Sequence, residues 1–385
     1  MTKKLLTDAL NRAKTPESIN RYKAWGIRTI AFLLGLIVSG IFAAITLQTN
    51  PFQFYGTLID GVFGSGDRFM IFVRDAALLL GVGIAIVPAF KMRFWNLGAN
   101  GQVLIGALVA SIVTFYLRGK APDFVQIILA ILASMLAGAV WAVLPAIFKA
   151  LFKTNESLFT LMMNYIAVGL VEYFIMFWFP STGSYIRAVT KELVKMPTIG
   201  GNVYIIPIIT VALLTAFMYI YLRFSKHGYE VAVVGESENT ARYIGTSVKK
   251  VVIRTLILSG LICGLMGFLI CGSIGNFQVN KDIVENRGFT AIIVTWLANF
   301  NPLVMIFTSF LLMFFTNGSV NTRSFYGLTT TAISDITIGI IFFFIIGSEF
   351  FIYMLNQRMS KVAAFKEKDK GKDTEKEKDT TGGKK

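Results

Sequence analysis

Apolar stretches too long and too free of charge for a water-soluble core dominate this chain. Ile27 to Leu47, Val125 to Phe148, Tyr204 to Leu222 and Ile333 to Tyr353 are the clearest, each approaching or exceeding the ~18 nearly uncharged residues that carry a helix across a bilayer. No water reaches the hydrocarbon region, so the backbone there must satisfy its own N–H and C=O groups as helices or closed barrels. Stretches of this length select helices, since a membrane strand needs only about 10 residues. Charged residues make up 15% of the 385, against ~25% in ordinary soluble domains.

Apolar windows place spans near residues 27–47, 69–90, 102–118, 124–148, 157–179, 204–222, 251–275, 287–299, 302–316 and 333–356. The expected fold is an all-α integral membrane protein of about ten transmembrane helices. The eighth and ninth spans are short and meet at Asn301-Pro302, so they read as half-helices or as one broken element. Such breaks are tolerated at membrane depth only where the backbone faces protein or a cavity. Five spans in each half would set two halves in opposite orientations, an inverted-repeat transporter architecture. The domains expected are an amino-terminal segment at 1–26, a transmembrane domain at 27–356 and a charged tail at 357–385. The tail is nearly free of apolar residues after Phe365 and is expected to be disordered, because it cannot bury enough surface to fold alone.

The formal charge of +15 has two readings, phosphate binding or membrane orientation. Its distribution decides between them. With the amino terminus in the cytoplasm, segments 1–28, 91–93, 149–156, 223–254 and 357–385 lie inside; they hold 27 Lys and Arg against 12 Asp and Glu, and the rest of the chain holds 10 of each. All the net charge then falls on one face, which places both termini in the cytoplasm and gives no support to nucleic-acid binding. The charged run before the first span reads as an uncleaved anchor rather than a signal peptide.

Several chemistries are excluded. A single histidine, His227, removes nearly every metalloenzyme and Ser/His mechanism, and it sits in a basic loop as a solvated residue. Neither Gly119-Lys120-Ala121 nor Gly371-Lys372-Asp373 completes a phosphate-binding P-loop. No catalytic residue, metal ligand or cofactor site is assigned. Cys263 and Cys271 stand eight positions apart, about 12 Å along a helix, too far for a disulfide. Intramembrane charge is sparse. Arg74 and Asp75 are adjacent and point about 100° apart on a helix, so they need not pair with each other and both can reach the outer interface by snorkelling, leaving Glu172 and Glu349 as central candidates for ion coupling.

Between two spans, Lys91 to Leu104 reads KMRFWNLGANGQVL, with glycines and amides breaking the apolar pattern. Asn96, Asn100 and Gln102 offer hydrogen bonds without charge, either to a substrate pathway or within a tight turn. Thr160 and Asn164 share a helix face at i, i+4, where they either line a pathway or act as packing glue between helices. After Gly235, the acidic Glu236 and Glu238 precede a helix-length segment with Arg242 near its end, matching the helix dipole.

These residues also carry a resemblance. Phe94 to Gln102 is similar to the F-N-I-G-x-E-G-Q signature of permease subunits of bacterial ABC importers in the branched-chain amino acid and simple-sugar superfamily, with Trp95 as an extra residue and Asn100 in place of Glu. Asn155-Glu156-Ser157 with Thr160 to Ala167 resembles the N-E-x-x-x-T-L-M-x-N-Y-I-A segment of the same permeases. Gly228 to Gly245 resembles the loop that forms their ATPase-coupling helix, with Thr240 where Ala is common. Leu258 to Gly267, Gly288 to Ile292 and Asn301-Pro302 resemble the S-G-x-x-A-G-x-x-G and G-F-x-G-I-A…N-P patterns. The closest likeness is to the nucleoside-type permeases served by basic-membrane-protein lipoproteins.

The resemblance implies a permease subunit that is not itself an enzyme, in a bacterial cytoplasmic membrane. Its implied partners are a cytoplasmic ABC ATPase, a second permease subunit in a heterodimer, a substrate-binding lipoprotein and the lipid bilayer. A nucleoside is the leading substrate, with simple sugars, riboflavin or a branched-chain amino acid as alternatives and an ion-coupled carrier as the rival class. On this reading Asn96, Asn100, Gln102, Thr160 and Asn164 line the substrate pathway. Gly235, Glu236, Asn239, Ala241, Arg242, Tyr243 and Gly245 form the coupling surface within the loop 228–245.

Overall fold

A computed structural model describes residues 21–178, 194–330 and 332–381, with side chains as far as Met359. Most of the amino-terminal segment at 1–26 lies outside the described residues. Within them the chain is helical nearly throughout: α1 (Arg21–Leu47), α2 (Pro51–Phe63), α3 (Gly66–Lys91), α4 (Ala99–Leu117), α5 (Asp123–Phe152), α6 (Glu156–Trp178), α7 (Ile205–Phe224), α8 (Lys226–Glu236), α9 (Glu238–Tyr243), α10 (Val248–Ser273), α11 (Arg287–Leu297), α12 (Pro302–Phe325) and α13 (Ala332–Thr381). Among the described residues 9 helices are long and apolar enough to cross a membrane, and α11 is a shorter apolar helix. The fold is an all-α integral membrane protein.

The observed helices depart from the expected pattern in three respects. The ninth span is not short: α12 runs on to Phe325, because its polar second half finds partners. Asn317 Nδ2 donates to Asp75 at 3.2 Å, Asn321 Nδ2 donates to the Thr57 carbonyl at 2.8 Å and Thr322 bonds Thr57 at 3.0 Å. Second, the short helix α2 was not expected; Asn50 Oδ1 accepts from Phe52 N at 2.9 Å at its start. Third, Arg74 and Asp75 do not snorkel: both are buried and joined at 2.8 Å. The backbone of α13 is helical to Thr381, in keeping with the helix propensity of its many Lys and Glu residues.

Two compact units divide the chain. One comprises 1–58 with 319–385, the other 59–318. In the first, α1 lies on α13, with a Cβ on Gly35 meeting the Ile341 backbone at 3.2 Å and Arg28 paired to Glu349 at 2.7 Å. In the second, α3 and α10 are buried along most of their length, and α10 packs on α4 and α5. Small residues allow this approach. A Cβ on Gly264 would collide with the Ser134 carbonyl, and one on Gly106 would lie 2.6 Å from the Gly264 carbonyl. In lipid no hydrophobic force drives helices together, so close van der Waals packing across small residues does the work. Cys263 and Cys271 are buried within α10 as free thiols.

Candidate functional site

Between α3 and α4 the backbone leaves the helical path. Arg93 takes a left-handed turn at φ 58°, and 94–98 run as irregular chain before α4 begins. Such backbone exposes N–H and C=O groups that must find partners when buried, and the expected pathway residues supply them. The fully buried Asn96 accepts from Gly98 N at 3.1 Å and from Gln102 Nε2 at 3.3 Å. Thr160 Oγ1 accepts from Leu97 N at 3.1 Å. Asn164 Nδ2 donates to the Leu97 carbonyl at 2.8 Å, while its Oδ1 accepts from Gly101 N at 2.8 Å. Both backbone groups of Leu97 are thus held by one face of α6. The approach leaves little room at Gly101, where a Cβ would lie 2.8 Å from Asn164 Oδ1.

Asn100 joins this cluster to the half-helix. Its Oδ1 accepts from Gly288 N, in the first turn of α11, at 3.2 Å. The amide keeps the acceptor that a Glu would offer at this position, without its charge. All five residues expected at a pathway are therefore brought together. Asn96, Gln102, Thr160 and Asn164 are buried, and their polar atoms are engaged by protein.

A charge cluster that the sequence reading missed lies beside them. Asp75 accepts from Arg74 at 2.8 Å and Asn317 at 3.2 Å, and Arg287 approaches it at 3.5 Å. Arg287 also pairs with Glu285 at 2.8 Å, and Arg74 lies over the Tyr204 ring at 4.8 Å. Arg287 is buried at the start of α11; the available signal was its place between Glu285 and an apolar half-span. The two carboxylates singled out for ion coupling are both paired, Glu172 with Lys281 at 3.0 Å and Glu349 with Arg28. The hydrogen bond to Glu172, helped by its charge, pushes the Lys281 pKa above the usual lysine value. No cluster of three or more His, Cys, Asp or Glu suited to a metal occurs among the described residues.

The segment expected to couple to an ATPase is two helices rather than one. Ser225 Oγ accepts from Gly228 N at 2.9 Å to open α8, and Ser237 Oγ accepts from Thr240 N at 3.2 Å to open α9. The expected coupling residues divide by side. Ala241 is buried with Val231, Val234, Met92, Phe94, Ala142 and Val252, and a Cβ on Gly235 would collide with the Lys91 carbonyl. Glu236, Asn239, Arg242, Tyr243 and Gly245 are exposed, Tyr243 by 92%. Arg242 pairs with Glu238 at 3.1 Å. His227 is exposed on α8, as expected. Met92 and Phe94 link this inner face to the irregular chain, so α8–α9 and the asparagine cluster share one backbone segment.

No solved structure matches the chain at a significant level. Among proteins of known name, it is 27% identical over 341 residues to a guanosine ABC transporter permease of Bacillus subtilis, covering 87% of this chain and 96% of that one. It is 28% identical over 351 residues to a glucose ABC transporter permease of Haloferax volcanii, covering 87% and 90%. A nucleoside ABC transporter permease of Lactococcus lactis is 25% identical over 326 residues, covering 81% and 87%. Residues 68–346 match the family described as branched-chain amino acid transport system / permease component. The chain belongs to that family, as the membrane-spanning permease component of an ABC transporter rather than an enzyme.

Proposed function

We propose that this chain is one of two permease subunits, in a heterodimer, of an importer in a bacterial cytoplasmic membrane. Both termini lie in the cytoplasm, a lipoprotein delivers substrate on the outer side, and the substrate is a nucleoside. The observation that carries the ATP-driven reading is the two-sided pair α8–α9: Gly235 and Ala241 are packed inward while Tyr243 and the Arg242–Glu238 pair are exposed. A partner gripping that bare face moves whatever the inner face touches, including Met92 and Phe94. Energy enters because the ATPase binds one permease conformation better than another. Asn96, Asn100, Gln102, Thr160 and Asn164 act at the pathway by holding the irregular chain that borders it.

The guanosine and nucleoside permeases support the substrate; the glucose permease, at 28% identity, supports a sugar as the second reading. Reconstitution with the ATPase, second permease and binding protein tests both. ATP-dependent uptake of labelled guanosine, competed by unlabelled nucleosides and not by glucose, is the expected result. Uptake without any ATPase points to an ion-coupled carrier and overturns the reading, and glucose uptake alone replaces the nucleoside by a sugar.

A further inference from the structure

The irregular chain between α10 and α11, residues 274–286, lines a cavity of about 430 Å³, within the size range of small-solute sites. Asn276, Gln278, Asn280, Asp282 and Glu285 supply its polar wall, and Ile274 and Ile283 are its apolar side chains. Acyl chains gain nothing from a wall of amides and carboxylates, and two carboxylates repel an anionic headgroup. A hard metal ion fits no better. It needs about six or more oxygens closing on one point, and among the described residues no third acidic, histidine or cysteine side chain completes a metal cluster here.

One part of this wall is held from inside the protein. Arg287, in the first turn of α11, is 4% exposed, yet its Nη2 reaches Oε2 of the 62% exposed Glu285 at 2.8 Å. Its Nη1 donates to the Ile283 carbonyl at 3.4 Å, Asp75 lies farther off at 3.5 Å, and the buried Nε has no partner among the described residues. A surface carboxylate normally swings free, whereas this one is fixed through one oxygen and keeps the other for a ligand. The cavity also adjoins the polar cluster: Gly288, next to Arg287, donates to Asn100 at 3.2 Å. On the orientation proposed above, the carboxyl-terminal end of α10 faces outward, so an arriving solute meets this wall before that cluster.

We infer that this cavity is an outer subsite for the vicinal diol of the transported solute, with Glu285 as the principal acceptor and Arg287 as the residue that positions it. An acidic side chain takes the hydroxyl of a bound ribose in the same way at dinucleotide sites, and hydrogen bonds to an ionised acceptor are the strong ones. The amides of Asn276, Gln278 and Asn280 each both donate and accept, which suits a neighbouring hydroxyl that must do both. Ribose and hexose each carry such a diol, so the chemistry is common to the nucleoside and the sugar readings. The inference rests on the importer reading and its orientation, and adds where the sugar moiety is met.

The test uses the complete transporter in proteoliposomes, with labelled guanosine and with dideoxyguanosine, which lacks the ribose diol. The binding protein is the same in every arm, so its own preference cancels when the uptake ratio of the two solutes in a variant is divided by that in the parent. Glu285→Ala lowers the guanosine-to-dideoxyguanosine ratio by about 10- to 150-fold at subsaturating solute, the range for a hydrogen bond to a charged group. Glu285→Gln keeps an accepting oxygen without the charge and lowers the ratio less; it reads the same quantity if the Ala variant is not recovered. Arg287→Lys, which loosens the hold on Glu285, shifts the ratio in the same direction. A ratio unchanged in the Glu285 variants overturns the inference, whatever happens to total uptake, and so does loss of co-purification with the binding protein or the second permease, which makes the wall a partner contact. Cys263 and Cys271 are buried, so Glu285→Cys tests the orientation separately: labelling by an impermeant thiol reagent from the inner side alone overturns it. A parent that carries glucose but no nucleoside overturns the nucleoside reading instead, and glucose against its deoxy analogues then reads the diol subsite.

Discussion

Asn164→Ala separates the two uses open to the polar cluster, a dry clamp on irregular backbone or a wet pathway wall. The substitution removes both partners that Asn164 gives the chain ahead, the acceptor for Gly101 N and the donor to the Leu97 carbonyl, each at 2.8 Å. Leaving a buried polar group unsatisfied costs about 1–3 kcal/mol, so a dry site loses roughly 2–6 kcal/mol. Hydrogen bonds between membrane helices average only ~0.6 kcal/mol, because the unfolded chain in the bilayer finds other partners. That discount is small here. Leu97 lies outside any helix, and Gly101 is in the first turn of α4, where no intrahelical partner exists. We expect a loss of at least about 2 kcal/mol for Asn164→Ala, measured by detergent-mediated unfolding of the purified permease. Asn164→Asp keeps the acceptor for Gly101 but sets a carboxylate oxygen against the Leu97 carbonyl, and should be no better than Ala. Asn155→Ala is the control: it removes an exposed cap on Leu158 N at 3.2 Å and costs about 1 kcal/mol or less. In a wet site, water replaces the lost bonds at a cost of about 0–2 kcal/mol. A loss under about 0.5 kcal/mol for Asn164→Ala, with the fold intact, refutes the clamp, since nothing buried then depends on this amide.

Gly264→Val drives a branched side chain into the Ser134 carbonyl and the Met135 backbone; with rigid helices on both sides the cost is about 3 kcal/mol or more, read as lost monodisperse protein in size-exclusion chromatography. Gly169→Val, at a position with open space around it, should leave the yield unchanged. Asp75→Asn strands Arg74 and weakens the hold on Arg287, costing about 3–5 kcal/mol as an unpaired buried charge, and adding Arg287→Gln should recover part of that loss in a double-mutant cycle. On the coupling face, Tyr243→Ala should weaken ATPase co-purification by roughly 30-fold, the effect of losing an interface anchor of about 2 kcal/mol, with thermal stability unchanged. Gly235→Ala should do the reverse, destabilising the permease because the collision with the Lys91 carbonyl is internal.

What the sequence made legible follows the length scale of each interaction. Spans were readable because helix formation in lipid depends on local apolar content, and the helix ends found differ from the windows by a few residues; α3, expected at 69–90, runs Gly66–Lys91. The division of the coupling residues was not readable, since Gly235 and Ala241 differ from Tyr243 only in what lies across from them. Arg74 and Asp75 show the limit of a helical-wheel argument. Neighbouring side chains diverge at Cβ, yet a long guanidinium folds back onto the next carboxylate when burial leaves no alternative. The mutual contacts of Phe90, Trp95, Trp296 and Phe300 were invisible for the same reason, as the four have no common period.

The asparagines carry this point to its mechanical consequence. A helix start normally takes its cap from its own N-cap residue, and sequence reading looks for it there. Gly98, before α4, gives none, and Asn286, before α11, sits at φ 56° without a capping bond. Both helices borrow their caps: α4 from Asn164 on α6, and α11 from Asn100 on α4. A borrowed cap depends on relative position, so sliding α11 against α4, or α4 against α6, breaks a hydrogen bond that a local cap would preserve. The caps run in series through the first turn of α4, because Gly101 receives one and its neighbour Asn100 gives the next. Displacing the chain at 92–98 therefore loads both junctions at once, and that chain is what the inner face of α8 touches through Met92 and Phe94. Asparagine suits this role better than a carboxylate, since an amide can be uncapped at membrane depth without leaving a bare charge behind.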